Sequence, residues 1–325
     1  MAFDFDAAVQ VPHRMQPGLR RLQPGSMQLT PTVAPQRSLA RHLREKLAVL
    51  GAFSDQALLQ APGFDAGPAL AALAAHAAAE QPGALQIDGA TWHAPALGWG
   101  LDADDQPIER SRSGWPEVGA LLATLPRPWR RAALLALAFA EDFAVVDGAT
   151  GTLPWLAVAL PSMWAPEEKI GRSFGDAHAP VADNRLIVGA APQLVKLVTS
   201  AEPWERFVWT LTAHPRLHGH PQRVDPARWA AGLDDDQLAA QTWWRTERQT
   251  FIPVPGMRQS VFTILVNVAP LGTAISQPAR AARVHDALAS MSDAVLAYRG
   301  LTSARPALLR WLARQAAGGG AGAPA

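Results

Sequence analysis

The chain has 325 residues, 49% of them apolar, with Lys+Arg 29 against Asp+Glu 28 and a net charge of +1. That balance lacks the electrostatic footprint of a nucleic-acid or membrane-surface binder, so neither partner is expected. With no cysteine at all, disulfides, thiolate zinc sites and protein-held iron–sulfur clusters are excluded, and any metal must be held by His, carboxylate, Met or Tyr.

From the N-terminus, MAFDFDAAVQVPHRMQPG lacks the basic region and apolar stretch of a signal peptide. The apolar segment Ala132–Ala140 is too short to span a bilayer. A cytoplasmic protein is the expectation. The first 35 residues are rich in Pro, Gln and Arg and read as an extended arm or clasp. Ser38–Leu50 predicts a helix with Leu39, Leu43, Leu47 and Leu50 on one face and Ser38 as its cap. Gly67–Glu80 is an Ala-rich helix, and Leu85–His93 reads as a strand, a bend and a second short strand. Trp115–Leu125 and Arg127–Phe143 predict helices, the second buried, with Pro128 in its first turn. A hairpin follows, Phe143–Val146 and Leu153–Leu160 around DGATGT.

Residues 161–184, PSMWAPEEKIGRSFGDAHAPVADN, carry Pro161, Pro166 and Pro180 and cannot be one plain helix or strand. An ordered irregular loop with His178 near its centre is where function concentrates. Asp183 or Asn184 caps a helix to about Thr199, and Arg206–Leu211 predicts a strand. His214–Gln222 reads as a loop, and Asp225–Trp229 and Asp234–Ala240 are helical at best. Thr242–Val254 and Gln259–Ala269 form a second hairpin around Pro255-Gly256. Ile275–Arg299 is one long helix or a broken pair, and Ala304–Ala316 closes the chain. Consecutive hairpins flanked by N- and C-terminal helices predict an α+β fold on an antiparallel sheet. The expected organisation is a single domain over 1–315, with the arm at 1–35, C-terminal helices at 275–315 and a disordered tail at 316–325.

Several constellations bear on chemistry. Twelve Trp against one Tyr suits a packed core, or the walls of a site for a flat cofactor. TWWRTERQTFIPV alternates, with Trp243, Arg245, Glu247, Gln249 and Phe251 on one face and Trp244, Thr246, Arg248, Thr250 and Ile252 on the other. Its charges make either a solvated cross-strand ion pair or the polar wall of a pocket. HPRLHGH (214–220) has zinc-like spacings, but Pro215 and Gly219 break a helix, and a surface loop is the simpler reading. GRSFG (171–175) matches G-x-S-x-G without the preceding strand that a nucleophile elbow needs, which leaves Ser173 an ordinary loop serine. No nucleotide-binding glycine motif occurs. A loop histidine is a possible haem donor where no thiolate exists, and Lys169, Arg172 and Arg185 are cations suited to carboxylates such as propionates.

RMQPGLRRL (14–22), AEDFAVVD (140–147), PSMWAPEEKIGRSFGDAHAPVADN (161–184), WRTERQTFIPVP (244–255) and VFTILVNVAPL (261–271) together resemble the haem-dependent oxidative N-demethylase family, over about residues 10 to 300. The resemblance implies haem b on a PAS-like antiparallel sheet. It also implies O2 as cosubstrate and a small methylated amine as substrate. Electrons would come from an external flavin/NADPH reductase on another chain. By motif, His178 would be the axial iron ligand and Trp164 a wall of the haem site. Lys169 and Arg172 would hold propionates, while Glu247, Arg245 and Arg248 would line the catalytic side, Glu247 facing the ammonium. The sequence departs from the family pattern at Leu265-Val266-Asn267, Phe251–Pro255 and Ala182. The alternative is a non-catalytic haem-binding PAS-like sensor of O2 or redox state, or a family member with a different substrate.

Overall fold

The computed structural model describes residues 3–33, 40–225 and 229–318. The strands are β1 (Arg20–Arg21), β2 (Leu58–Gln60), β3 (Gln86–Asp88), β4 (Thr91–Ala94), β5 (Trp99–Leu101), β6 (Pro107–Glu109), β7 (Asp142–Asp147), β8 (Thr152–Ala157), β9 (Trp204–Thr212), β10 (Trp243–Pro253) and β11 (Gln259–Pro270). They form a seven-stranded sheet in the order β1-β9-β10-β11-β7-β8-β2 and a four-stranded meander of β3 to β6, antiparallel throughout. The fold is α+β, as the hairpin pattern predicts. Both predicted hairpins form, β7–β8 and β10–β11, and the four-stranded sheet extends the expected pair at 85–93 by two further strands.

Helices cover both faces: α1 (Phe5–Ala8), α2 (Ala40–Ala57), α3 (Gly67–Glu80), α4 (Pro116–Thr124), α5 (Arg130–Ala138), α6 (Phe174–His178), α7 (Arg185–Gly189), α8 (Ala191–Val198), α9 (Asp235–Ala240), α10 (Leu271–Ala274), α11 (Pro278–Ala289), α12 (Asp293–Tyr298) and α13 (Arg305–Ala316). α2 runs seven residues beyond its predicted end, across a kink at Phe53. Its expected cap Ser38, part of the predicted helix at 225–229 and the tail from 319 lie outside the described residues. The helix expected over 127–143 ends at Ala138 because Asp142 and Phe143 already pair in β7. The segment expected over 275–299 is a broken pair, α11 and α12, with Ser292 capping the second. The 184–199 helix divides into α7 and α8 just before Pro192. Asn184 stands at the N-cap position of α7, but neither expected cap makes a side-chain bond to the helix. Asn184 donates to the carbonyls of His178 and Ala179, while Asp183, at φ +53, accepts from Ser292.

One large core lies where α2, α3, α4 and α5 pack together behind the sheet. A second lies where α11 and α13 cover Trp209, Leu211 and Trp244. The first core encloses charges. Lys46 is fully buried, donates to the carbonyls of Phe139 and Glu141, and pairs with buried Asp142 at 3.2 Å. Glu141, also buried, accepts from the Thr30 amide. Burial pushes its carboxyl up from 4.5 to about 7. Between those values the folded chain keeps a proton that the unfolded chain has released. Glu141 therefore lowers stability as pH rises from about 4.5 through about 7, by at most roughly 3 kcal/mol. Urea unfolding of the protein and of Glu141→Gln at pH 5 and pH 8 is expected to show this loss only with Glu141 present. Equal pH dependence in the two would contradict it.

Candidate functional site

One face of the large sheet floors a cavity of about 320 Å³, at the lower end of the ~300–1,000 Å³ typical of ligand pockets. The pleat decides which side chains reach it. Glu247 sits in register between Val208 and Val266, and Gln249 between Arg206 and Ile264. The alternation places Arg245, Glu247, Gln249 and Phe251 on the cavity, with Arg206 and Val208 of β9, Phe262 and Ile264 of β11, and Ala144 and Val146 of β7. Phe251 and Phe262 stack at 4.8 Å between centroids. The roof comes from α6 to α8, from Met163 and Trp164, from residues 7–19, and from Tyr298 and Arg299 at the C-terminal end of α12.

His178 closes α6. Ser173 starts that helix: its Oγ accepts from the Asp176 amide and donates to Asp176 Oδ2. The hydroxyl is thus occupied as a cap, consistent with an ordinary serine. The 161–184 segment is therefore less irregular than its prolines suggest, because a 3-10 turn at Pro166–Glu168 and this capped helix fit between them. His178 Nδ1 lies 2.8 Å from the Phe174 carbonyl. A carbonyl only accepts, so Nδ1 carries the hydrogen and Nε2 keeps its lone pair. No described residue hydrogen-bonds to Nε2. Burial pulls the imidazole down to about 4, so the ring is neutral at neutral pH.

The charged residues expected at the site separate. Arg245 lines the cavity but its guanidinium is bound into the protein. Nε donates to Ser162 Oγ at 2.8 Å, Nη1 to the Arg216 carbonyl at 2.9 Å, and Nη2 to the Leu217 and Pro161 carbonyls at 2.6 and 3.2 Å. It pins the 161–164 segment to the 216–219 loop. Gly219 is needed there, since a Cβ would meet the Pro161 carbonyl at 2.9 Å. Glu247 is buried, with Oε2 accepting from Gln249 Nε2 at 2.5 Å, and is the only carboxylate side chain on the cavity among the described residues. Arg248 points to the opposite face. There it pairs with buried Glu205 at 2.9 Å and donates to the Met27 carbonyl. It belongs to a cross-strand ion pair, buried rather than solvated, and not to the wall shared by Arg245 and Glu247.

Lys169 and Trp164 line the cavity, and Lys169 Nζ donates to the Ala177 carbonyl. Arg172 does not line it. The backbone turns at Gly171 (φ +70), the Arg172 carbonyl accepts from the Leu153 amide, and the residue is exposed. The 214–220 loop is not a plain surface loop either: His220 is buried against Glu167 at 3.0 Å. Among the described residues no group of three or more metal-ligating side chains forms.

Among the cavity residues that the sequence did not single out are His13, Arg206, Tyr298 and Arg299. Burial pulls His13 down to about 4. Arg299 donates to the Trp209 carbonyl. Only Arg206 carried a readable signal, as a charge alternating with apolar residues in a strand.

Residues 122–309, more than half of the chain, match the family described as haem-dependent oxidative N-demethylase, alpha subunit-like. The chain belongs to that family. The match contains every cavity residue except those of the 7–19 segment, which supplies His13 and part of the roof.

A haem-dependent N-demethylase subunit needs a site for the haem, and the donor set here fits one. A neutral imidazole with a free Nε2, its other nitrogen held by a backbone carbonyl, is the usual arrangement of a histidine metal ligand. Aromatic and aliphatic walls suit a flat macrocycle. The lining also holds Arg14, Lys169, Arg206, Arg245 and Arg299 against the single carboxylate of Glu247, an excess of positive charge suited to an acidic cofactor. The description of the family as alpha subunit-like suggests that its members work with other subunits. No helix among the described residues is long and apolar enough to cross a membrane.

Proposed function

We propose that the protein is the haem-bearing oxygenase component of an oxidative N-demethylase acting on a small methylated amine. The observation that carries this reading is the unpartnered Nε2 of His178 at an apolar, cation-rimmed cavity in a chain of this family. His178 would ligate the iron of haem b, Lys169 would hold a propionate and Trp164 would wall the macrocycle. The sheet supports a PAS-like reading: the hairpin β7–β8 leads through helices to three consecutive strands, and the last of these returns beside β7. When bound, the haem supplies the activation of O2.

The residues of the chain supply binding and exclusion of water. A desolvated alkylammonium needs a carboxylate partner. Glu247 provides one, oriented by the Gln249 amide, with Oε1 left open. Phe251 and Phe262 keep that side of the cavity apolar. The reaction balances as N-methyl amine, O2, two electrons and two protons giving the demethylated amine, formaldehyde and water. The carbinolamine releases formaldehyde as its C–N bond breaks. The electrons come from a separate flavin/NADPH reductase.

The test is formaldehyde release from dimethylamine with O2 and a surrogate reductase. One formaldehyde per amine consumed supports the enzyme. No formaldehyde, and no amine-dependent change in the haem spectrum, would favour the sensor. Glu247→Gln is expected to keep haem and weaken amine binding about ten- to a hundredfold, the worth of a hydrogen bond to a charged group. Unchanged affinity, by spectral titration, would remove Glu247 from the amine site.

A further inference from the structure

Arg206 sits on β9 opposite Gln249, on the same face as Glu247. The three buried arginines among the described residues all have acceptors: Arg245 donates to four, Arg248 to Glu205 and the Met27 carbonyl, and Arg299 to the Trp209 carbonyl. Arg206 has none among the described residues. Its Nε is wholly buried and unbonded, while the side chain lines the cavity. Burial lowers its pKa, opposed only by the charge of Glu247, which is not close enough to form an ion pair. A guanidinium whose Nε is cut off from water without an acceptor is costly, and a ligand that supplies one recovers that cost.

We infer that Arg206 is a carboxylate-binding residue of the cavity. The fork of Nε and Nη matches the two oxygens of a carboxylate in bidentate geometry. A phosphate dianion would call for more free donors, and Arg245 and Arg299 already donate to backbone carbonyls. Two ligands carry the required group. One is the haem, through a propionate. The other is the substrate: an N-methylated amino acid would set its ammonium on Glu247 and its carboxylate on Arg206. The first source rests on the haem reading above, while the second requires only the cavity.

The test uses the full chain and two pairs of probes. Metal-free protoporphyrin IX and its dimethyl ester are compared by quenching of tryptophan fluorescence, since Trp164 and Trp209 line the cavity. With no iron present, ligation by His178 contributes nothing, so failure here is separate from failure of the haem reading. N,N-dimethylglycine and dimethylamine are compared in the same way and, on haem-loaded protein, by difference spectra. A free-acid porphyrin preferred about tenfold or more, with the gap erased in Arg206→Gln, assigns the propionate. Dimethylglycine preferred over dimethylamine, with only that preference lost in the variant, assigns the substrate. Absence of both preferences in the unsubstituted protein, or their survival in Arg206→Gln, overturns the inference. The comparisons in the unsubstituted protein hold even if Arg206→Gln folds poorly. Arg206→Lys, which keeps charge without the fork, and Arg110→Gln on the exposed meander serve as controls, with melting temperatures recorded for each.

Discussion

His178→Ala is expected to lose haem, or to retain it with altered axial ligation. Loss of an outer-shell partner of a metal-bound residue already costs about 10–100-fold in affinity. Loss of the donor itself should cost at least as much. The side chain contributes little else: its Nδ1 bonds to Phe174 within the same short helix, and its ring lies 4.3 Å from the Phe174 ring. The variant should therefore fold, and added imidazole should restore binding by filling the vacated space. An unchanged spectrum and haem content would refute the assignment. His13 would then become the donor to test, because His214 and His218 do not line the cavity.

Arg245→Met is expected to destabilise the protein by about 3–5 kcal/mol. The buried guanidinium has paid its desolvation through hydrogen bonds to Ser162, Pro161, Arg216 and Leu217. Methionine fills similar volume but leaves these acceptors without a donor, at about 1–3 kcal/mol for each one that water cannot reach. Water entering from the cavity lowers the total, since Pro161 also accepts from the Gly219 amide. A loss of this size is a large share of the ~5–15 kcal/mol that holds a typical domain together. Burial lowers the Arg245 pKa to about 10, so it remains a cation at neutral pH. Arg245→Lys should recover only part of the loss, having three donors and no planar fork. Urea unfolding measures both variants; a loss below 1 kcal/mol in Arg245→Met would show that the two loops hold together without it.

The hairpin strands β7–β8 and β10–β11 were legible because period-two alternation and the Pro-Gly and Gly-rich turns mark them, whereas β1, β2, β5 and β6, two or three residues each, are too short to show a period. His178 was legible for a different reason: the prolines around it exclude a long regular element. The helix that carries it was not, because five residues give no periodicity and only the Ser173 cap announces it. Arg248 illustrates a reading by contiguity that the pleat overrides. Its neighbour in sequence, Glu247, faces the cavity, and a step of one residue sends Arg248 to Glu205 on the other side. Arg206 was visible as a charge in a strand, but its significance lies in the missing acceptor, which only packing reveals. His13 and Arg299 come from opposite ends of the chain, and their convergence on one cavity has no local signal in the sequence.

The most direct measurement is an optical titration of haem into the purified full-length protein, recorded oxidised and reduced. The account predicts saturation at one haem per chain, a Soret band typical of histidine ligation, and matching quenching of tryptophan fluorescence as Trp164 comes to lie beside the macrocycle. Absence of saturable binding, or a bound-haem spectrum identical in His178→Ala, would contradict it.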